Sequence, residues 1–251
     1  NYGYAIAGIG DLNDDGVPDM AVGAPEDDTG GTDRGAVYIH FMTSTGSFAS
    51  TTKLTSSTPN VASLSDGDTY GFYVAGMDDL DSDGVEDIAV GASLTGSGSN
   101  LGAVYIHYMT STGAFASTVI LDENTANGAT DLEDGDRYGV GLANIGDLDS
   151  DGVQDLAVGA FKADGNGTNR GAVYIHFLNS NGSVDSTVKL NETTTNGATD
   201  LADSDHYGRS ITTLGDLDGD GVQELVVGAP QNITDSDNFG AFYVHFMNSD
   251  G

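Results

Sequence analysis

Short apolar segments, separated by polar turn-forming residues, recur along the whole 251-residue chain. In residues 137–205 they are Val140 to Ile145, Leu156 to Val158 and Ala172 to Leu178, and the alternating segment Ser186 to Leu190 follows them. Alternation with a period of two is typical of a half-exposed strand, and the intervening Gly, Asn, Asp, Ser and Thr residues favour turns. No stretch has the apolar periodicity of a helix. The pattern therefore predicts an all-β fold.

The same motifs occur four times in the same order, so the chain is a tandem repeat. Each copy has a Tyr-Gly pair, an acidic loop, an apolar segment ending in Gly-Ala, and a segment related to Gly-Ala-Val-Tyr-Ile-His. We assign the repeats to residues 1–68, 69–136, 137–205 and 206–251. Four short strands in a unit of this size are typical of a propeller blade. We therefore predict a single β-propeller region over residues 1–251, or a propeller segment, built from four-stranded antiparallel blades.

The fourth repeat ends early. Residues 248–251 match residues 179–182 of the third repeat, and no segment corresponding to Ser186 to Leu190 follows them. We expect this blade to lack its fourth strand and to leave an open edge, which favours pairing with another chain or with a second copy. Because Asn1 lies inside a repeat, we also expect the chain to be a processed product or a part of something longer.

The charge of the chain narrows the choice of partners. It has 7 Lys and Arg residues against 39 Asp and Glu residues, a formal net charge of −32 at pH 7. Binding to nucleic acids requires a basic footprint, so nucleic acid is not an expected partner, and anionic membrane surfaces are disfavoured for the same reason, whereas divalent cations are favoured. No apolar run approaches the roughly 18 residues of a membrane-spanning helix, so membrane insertion is not expected. The absence of cysteine excludes disulfides and thiolate metal sites.

The acidic loop of each repeat has the spacing of a cation-binding loop. Carboxylate or amide side chains stand at positions 1, 3, 5 and 9, and glycine stands at position 6. Oxygen ligands at positions 1, 3 and 5, with a main-chain carbonyl at position 7, surround one hard cation, and the glycine permits a tight turn. A site rich in protein oxygens favours calcium over magnesium, so we predict about four calcium ions, one per repeat. The predicted side-chain ligands are Asp11, Asn13, Asp15, Asp19, Asp79, Asp81, Asp83, Asp87, Asp147, Asp149, Asp151, Asp155, Asp216, Asp218, Asp220 and Glu224, and the predicted carbonyls are those of Val17, Val85, Val153 and Val222.

Two other interpretations of these loops fit the sequence less well than calcium binding. A helix–loop–helix calcium site would need Glu at position 12, whereas a valine in an apolar segment stands there in every repeat. We therefore predict a strand–loop–strand site. The remaining alternative is a set of solvated acidic turns without metal, and calcium is favoured because four copies keep the spacing while neighbouring residues vary. Asn13 removes one charge from the first loop, so we expect that site to be the weakest.

Two further sets of polar residues recur. Each repeat has one histidine on its third predicted strand, and these four residues belong to different blades, so we expect them to pack between blades with satisfied ring nitrogens. A second acidic pair precedes three of the Tyr-Gly pairs, and we expect its members to cap their own turns. The histidines are His40, His107, His176 and His245, and the acidic pairs are Asp66 and Asp68, Asp134 and Asp136, and Asp203 and Asp205.

The combination of motifs resembles the FG-GAP repeat of integrin α-subunit β-propellers. Tyr-Gly stands where that family has Phe-Gly, the acidic loop follows, and Gly-Ala-Pro occurs at residues 23–25 and 228–230. Ser93 and Phe161 replace the proline in the other two repeats. The resemblance implies a propeller of four-stranded blades, with calcium held in the hairpin between the first two strands of each blade. Propellers of that family usually have seven blades, and four are visible here.

We expect an extracellular or cell-surface, calcium-stabilised module with a structural or adhesive role. Its expected partner is another protein or copies of itself, and the open edge of the fourth blade favours self-assembly. A carbohydrate-binding propeller with glycans in the loops between blades is the alternative, although the absence of tryptophan counts against it. We do not expect an enzyme, because the sequence has no Gly-x-Ser-x-Gly, P-loop or His-Glu-x-x-His motif.

Overall fold

The structure, a computed structural model, describes residues 1–61, 63–95, 100–195, 197–231 and 240–251. These residues form fifteen β-strands in four separate antiparallel sheets, one in each repeat. Within each sheet the strands lie side by side in chain order. The described residues include no helix that is long and apolar enough to cross a membrane. The prediction of an all-β fold is confirmed.

The four sheets are the blades of a β-propeller, numbered 1 to 4 in chain order. Blades 1 to 3 have four strands each, and blade 4 has three in the described residues. Blade 1 consists of β1 (Ala5–Gly8), β2 (Met20–Ala24), β3 (Ala36–Met42) and β4 (Phe48–Thr55), and blade 2 of β5 (Tyr70–Gly76), β6 (Ile88–Ala92), β7 (Ala103–Met109) and β8 (Phe115–Leu121). Blade 3 consists of β9 (Tyr138–Asn144), β10 (Leu156–Ala160), β11 (Ala172–Leu178) and β12 (Val184–Leu190), and blade 4 of β13 (Ser210–Thr213), β14 (Leu225–Ala229) and β15 (Ala241–His245).

The strands of blade 3 extend beyond the apolar segments that predicted them. β11 has the predicted bounds, whereas β9 and β12 begin earlier, at Tyr138 and Val184. Backbone pairing continues past a bulge in both places, where Tyr138 pairs with Ala160 and Val184 pairs with Leu178. Apolar periodicity does not register a bulge, because the extra residue shifts the alternation of side chains.

The hydrophobic core lies between successive blades. Between blades 1 and 2, Val37 and Ile39 of β3 belong to one cluster with Tyr70 and Tyr105 of the next blade. Similar clusters join blade 2 to blade 3 and blade 3 to blade 4. Because successive residues of a strand point to opposite faces, an inner blade must be apolar on both faces. Accordingly, β7 and β11 are buried at every residue.

Each interface between blades also contains a backbone joint made of glycines. A Cβ added at Gly91 of β6 would overlap the carbonyl oxygen of Gly139, which belongs to the Tyr-Gly motif of the next blade. Beside it, Gly102 forms a parallel bridge with Tyr138. No side chain fits between these backbones, so the glycine is required by close approach. The same contact recurs at Gly23 against Gly71 and at Gly159 against Gly208.

The recurring histidines belong to buried hydrogen-bond chains. In blade 3, the Oη of Tyr138 lies 2.6 Å from Nε2 of His176, and Nδ1 of that histidine lies 2.8 Å from Oγ1 of Thr187. Thr187 donates its own proton to the carbonyl of Asn127 at 2.6 Å. His176 is therefore a neutral ring that donates from Nδ1 and accepts at Nε2. Burial lowers its pKa to about 3, which agrees with this assignment, and both ring nitrogens are satisfied as expected.

Blade 4 has one apolar face without a neighbouring blade. Among the described residues, the strands of blade 4 make no contact with those of blade 1. Phe242 and Phe246 stand at the positions of Val37 and Phe41 in the first repeat. Phe242 is 72% exposed, whereas Val37 is fully buried against blade 2. We call the side that carries Phe242, Val244 and Phe246 the forward face of blade 4.

Blade 1 has the opposite face open. Ile6 of β1 is 64% exposed, whereas its counterpart in blade 2, Val74, is buried against blade 1. Tyr2 and Phe48 are also more than half exposed, at 56% and 54%. We call the side that carries Tyr2, Ile6 and Phe48 the rear face of blade 1. The two ends of the propeller therefore expose the two halves of the interface that joins its inner blades.

We predict that Gly91→Ala strongly destabilises the protein and that Gly8→Ala does not. The added methyl at Gly91 must displace the backbone of the next blade, and overpacking of this kind costs about 2–3 kcal/mol. A Cβ at Gly8, which also lies in a strand, meets no atom within 4 Å. Urea unfolding midpoints in excess calcium measure both effects. Equal midpoints for the two variants would show that the close approach of the two backbones does not require glycine at residue 91.

Candidate metal centre

The four acidic loops are the hairpins between the first two strands of each blade. We call them loop 1 (11–19), loop 2 (79–87), loop 3 (147–155) and loop 4 (216–224). In loop 3, Ile145 donates its backbone N–H to the carbonyl of Asp155 at 3.0 Å, and Asp155 donates to the carbonyl of Gly146 at 2.8 Å. Equivalent pairs close the other three loops. The backbone pairing of the hairpin therefore places position 9 at the base of the loop, opposite the two residues that precede position 1.

Backbone N–H groups hold the carboxylates of each loop in place. Asp147 at position 1 accepts from the N–H groups of Asp151 and Gly152, both at 2.9 Å. Asp149 at position 3 also accepts from Asp151, at 3.1 Å. Gly152 at position 6 has a φ of 95°, which residues with a side chain rarely adopt. Loops 1, 2 and 4 contain the same set of bonds.

Position 9 links the loop to the third strand of its own blade. Asp155 is buried, and its Oδ2 accepts from the N–H of Leu148 at 2.8 Å. Its Oδ1 accepts from the N–H of Leu178 at the end of β11, at 3.0 Å. Asp19 and Asp87 make the corresponding pairs of bonds. The spacing of the loop did not indicate this second role, although an acid directly before a buried strand was a signal for it.

Burial makes ionisation of this carboxylate costly. It raises the pKa of Asp155 to about 6, and the nearby Asp149 and Asp151 add repulsion, although the two backbone hydrogen bonds act in the other direction. In loop 2, burial raises the pKa of Asp87 to about 7 in the same way. A cation in the loop would favour the ionised form and reverse this effect.

Carboxylate oxygens converge in three of the loops. In loops 2 and 3 the residues at positions 1, 3 and 9 each place one oxygen within 4.8 Å of the others, and loop 4 adds position 5. Asp83 and Asp151, at position 5 of loops 2 and 3, accept from the backbone N–H two residues later, both at 2.8 Å, as Asp220 does in loop 4. Loop 1, with Asn13 at position 3, is not among the carboxylate clusters of the described residues. The clusters are Asp79, Asp81 and Asp87; Asp147, Asp149 and Asp155; and Asp216, Asp218, Asp220 and Glu224.

The residues that were predicted to offer a carbonyl are anchored by their side chains. Val85, Val153 and Val222, at position 7, each pack against the hydrophobic core between their blade and the preceding one. Val17, on blade 1, is partly buried. This packing fixes the backbone of position 7 within the loop.

Glu224 in loop 4 shows that the donors fit a hard cation. Its side chain is fully buried, and Oε2 accepts from the N–H of Leu217. Its other oxygen, Oε1, is buried and has no hydrogen-bond partner among the described residues. An unsatisfied buried acceptor costs about 1–3 kcal/mol, and a bound cation would satisfy it. Since every predicted donor is oxygen, the loop suits calcium rather than a softer metal.

Comparisons with known proteins agree with this arrangement. The family model of the FG-GAP repeat matches residues 2–40 and 207–245, which contain loops 1 and 4. Each of these two segments is therefore an FG-GAP repeat. It is also similar to integrin alpha subunits, as the sequence motifs had indicated.

Three of these relatives show how far the similarity extends. The chain is 30% identical to integrin alpha-5 of Xenopus laevis over 234 residues, which cover 91% of this chain and 20% of that protein. It is 32% identical to integrin alpha-4 of Xenopus laevis over 170 residues, which cover 65% and 14%. With integrin alpha-PS2 of Drosophila melanogaster the identity is 38% over 91 residues, which cover 36% and 6%. The chain therefore spans one fifth or less of the length of these relatives.

Exchanging the position-3 residues of loops 1 and 3 tests the metal centre. Asp149→Asn gives loop 3 the ligand set of loop 1, and Asn13→Asp gives loop 1 the ligand set of loop 3. In calcium, we expect Asp149→Asn to lower stability by roughly 1.4 kcal/mol for a tenfold loss of affinity, and Asn13→Asp to raise it. In chelator the signs reverse, because the added or removed charge then only changes repulsion.

Thermal unfolding with calcium and with chelator measures this reversal. Asp185→Asn, on the exposed face of the outer strand β12, is the matched control because it removes one charge outside the loops. Its effect should be small in both conditions. Variants of loops 1 and 3 that shift the unfolding temperature equally with and without calcium would contradict a metal role.

Proposed function

We propose that the chain is a calcium-stabilised β-propeller module of an extracellular or cell-surface protein, and that it acts by binding proteins rather than as an enzyme. The observation that carries this proposal is the convergence of carboxylate oxygens in loops 2, 3 and 4, together with the unpartnered oxygen of Glu224. The similarity to integrin alpha subunits supports the setting.

Calcium would stabilise each blade by two routes. It would neutralise a group of carboxylates that otherwise repel one another in a chain of net charge −32. It would also favour the ionised form of position 9, whose oxygens connect the loop with the third strand. Because the converging oxygens exist only in the folded blade, calcium binding is coupled to folding.

Unfolding in the presence of different cations tests the calcium part. We expect calcium to raise the unfolding temperature, with each site contributing about 2.7 kcal/mol at one hundred times its dissociation constant. Magnesium should do less, since it retains its water and needs a stricter octahedron. Sodium chloride at matched ionic strength is the control for screening. Unchanged melting in chelator, with no heat of calcium binding in calorimetry, would refute this part.

The protein partner that the end faces favour is a second copy. Gly228 and Gly240 of blade 4 stand at the positions of Gly91 and Gly102, but a Cβ added at either meets atoms of its own blade first. Tyr2-Gly3 of blade 1 stands at the position of the motif that docks on such glycines. The forward face of blade 4 and the rear face of blade 1 thus carry matching halves of a joint that the chain uses three times internally. We infer that the two faces are complementary to each other, so that copies of this 251-residue chain associate head to tail through them.

Sedimentation velocity in calcium at several protein concentrations tests the association. We expect dimers or larger species, and stronger association at higher salt, because the copies repel each other through their net charge. Phe242→Glu should weaken association at least about tenfold, since it places a charge at the centre of a desolvated joint. Ile120→Glu, on the exposed side of outer strand β8, is the control and should leave association unchanged. A monomer at every concentration would refute the inference.

A further inference from the structure

Three cations of this acidic chain stand outside its ion pairs. Four of its seven Lys and Arg side chains pair with carboxylates within 3.0 Å. In the part of the chain that the structure describes, no such pair is formed by Arg137, Lys162 or Arg209. All three are partly buried. The chain has 39 acidic residues that could pair with these cations. Cations that lie close together without such a pair therefore differ from the four paired cations.

Two of these cations lie on one aromatic ring. The Arg209 guanidinium is 4.8 Å from the ring centroid of Phe161, and the Lys162 Nζ is 5.8 Å from it. The ring of His206 meets Phe161 edge-on at 5.0 Å. Phe161 itself is buried. We call these four residues the cationic cluster.

The two cations of the cationic cluster lie close enough to the His206 ring to affect its protonation. Burial lowers the pKa of His206, and repulsion from Lys162 and Arg209 lowers it further, whereas the Asp205 carboxylate acts in the other direction. The adjacent Asp205 is buried and accepts from the backbone N–H of Ala202. An anion beside the two cations would relieve their repulsion.

The cationic cluster breaks the repeat. Phe161 stands where the other repeats have Pro25, Ser93 or Pro230, and Arg209 stands where they have Tyr4, Phe72 or Val140. Residues that all repeats share serve tasks common to all blades, such as the joint and the loop. A charged group found at only one junction between repeats requires another explanation.

Arg209 also lines a cavity where the first strands of the four blades converge. The cavity has a volume of about 270 Å³. Its lining is otherwise mostly apolar, and the rings of Tyr4 and Phe72 lie 4.5 Å apart within it. The remaining lining residues are Tyr73, Val140, Ser210 and Pro230. A cation at the edge of an apolar cavity suits a ligand that has a carboxylate next to an apolar group.

We propose that the cationic cluster and this cavity bind an acidic peptide segment of a protein partner. Arg209 would pair with the carboxylate, Lys162 would add positive charge, and a neighbouring apolar side chain would enter the cavity against Tyr4 and Phe72. This proposal rests on the protein-binding function proposed above and gives it a ligand chemistry. The cavity has room for one or two side chains, which favours a peptide over an extended glycan.

The charge of the whole chain restricts the partner further. A net charge of −32 repels acidic proteins at long range. The cationic cluster acts over short distances only, because salt screens its field within about 8–10 Å. The partner should therefore present one or two carboxylates on a surface that is otherwise neutral or basic.

Fluorescence anisotropy with a defined peptide tests the proposal. The probe is a labelled peptide with one Glu between two Leu residues in a background of Lys, Gly and Ser, and its match has Gln in place of Glu. In excess calcium, we expect the Glu peptide to bind about tenfold to a hundredfold more tightly than the Gln peptide. Arg209→Gln should abolish this preference. Arg170→Gln is the matched control, since that guanidinium pairs with Asp203 on the surface.

The outcomes separate this proposal from the others. Circular dichroism and calcium-dependent melting of both variants show whether they fold. Equal binding of the Glu and Gln peptides, or an equal loss in both variants, would overturn the proposal. A sialylated glycan that binds through Arg209 in place of the peptide would also overturn it. If calcium stabilises the protein but the two peptides bind equally, only the ligand assignment is refuted. If calcium does not stabilise the protein, the metal proposal is refuted.

Discussion

A sheet with two apolar faces is not stable by itself, and this constraint governs most of the structure. β7 and β11 are buried at every residue only because a blade lies on each side of them. The glycines at the joint follow from the same requirement, since two backbones that approach so closely leave no room for a Cβ. Removing one neighbour exposes a whole face, as Phe242 and Ile6 show at the two ends. Each blade is therefore stabilised by its neighbours, as in other repeat architectures.

The charged residues of the loops lie apart from this apolar packing. Most of the acidic residues of the loops are exposed, and only position 9 is buried. At Asp87 and Asp155 the cost of desolvation exceeds the gain from two backbone hydrogen bonds, since both pKa values rise. A cation changes this balance without altering the interfaces between blades. Calcium should thus control the hairpins, while apolar contact controls the order of the blades.

Local features of the structure were predictable from the sequence, and contacts between distant residues were not. Strand periodicity and the four-fold motif order predicted the blades, because both depend on neighbours in the chain. The bond from Asp155 to Leu178 and the pairing of Tyr138 with His176 join different strands. Their partners depend on register, and no spacing rule reveals it. Phe161 was visible as a departure from the proline of the motif, but one of its two cationic neighbours, Arg209, comes from another repeat.

The position of the cationic cluster relative to the loops is a consequence of the meander. In an antiparallel sheet with strands in chain order, the chain reverses direction after each strand. The connections between strands one and two therefore lie at one end of the strands, and those between strands two and three lie at the other end. Loops 1 to 4 belong to the first kind, whereas Phe161 and Lys162 follow the second strand of blade 3 and Arg209 precedes the first strand of blade 4. Calcium and a peptide would therefore bind at opposite ends of the strands of each blade. A fold arranged in this way keeps its stabilising ion from competing with its ligand. The residues at the end of the blades that lacks the calcium loops are then free to differ between repeats. Specificity then belongs where residues of different repeats meet, at the convergence of the first strands.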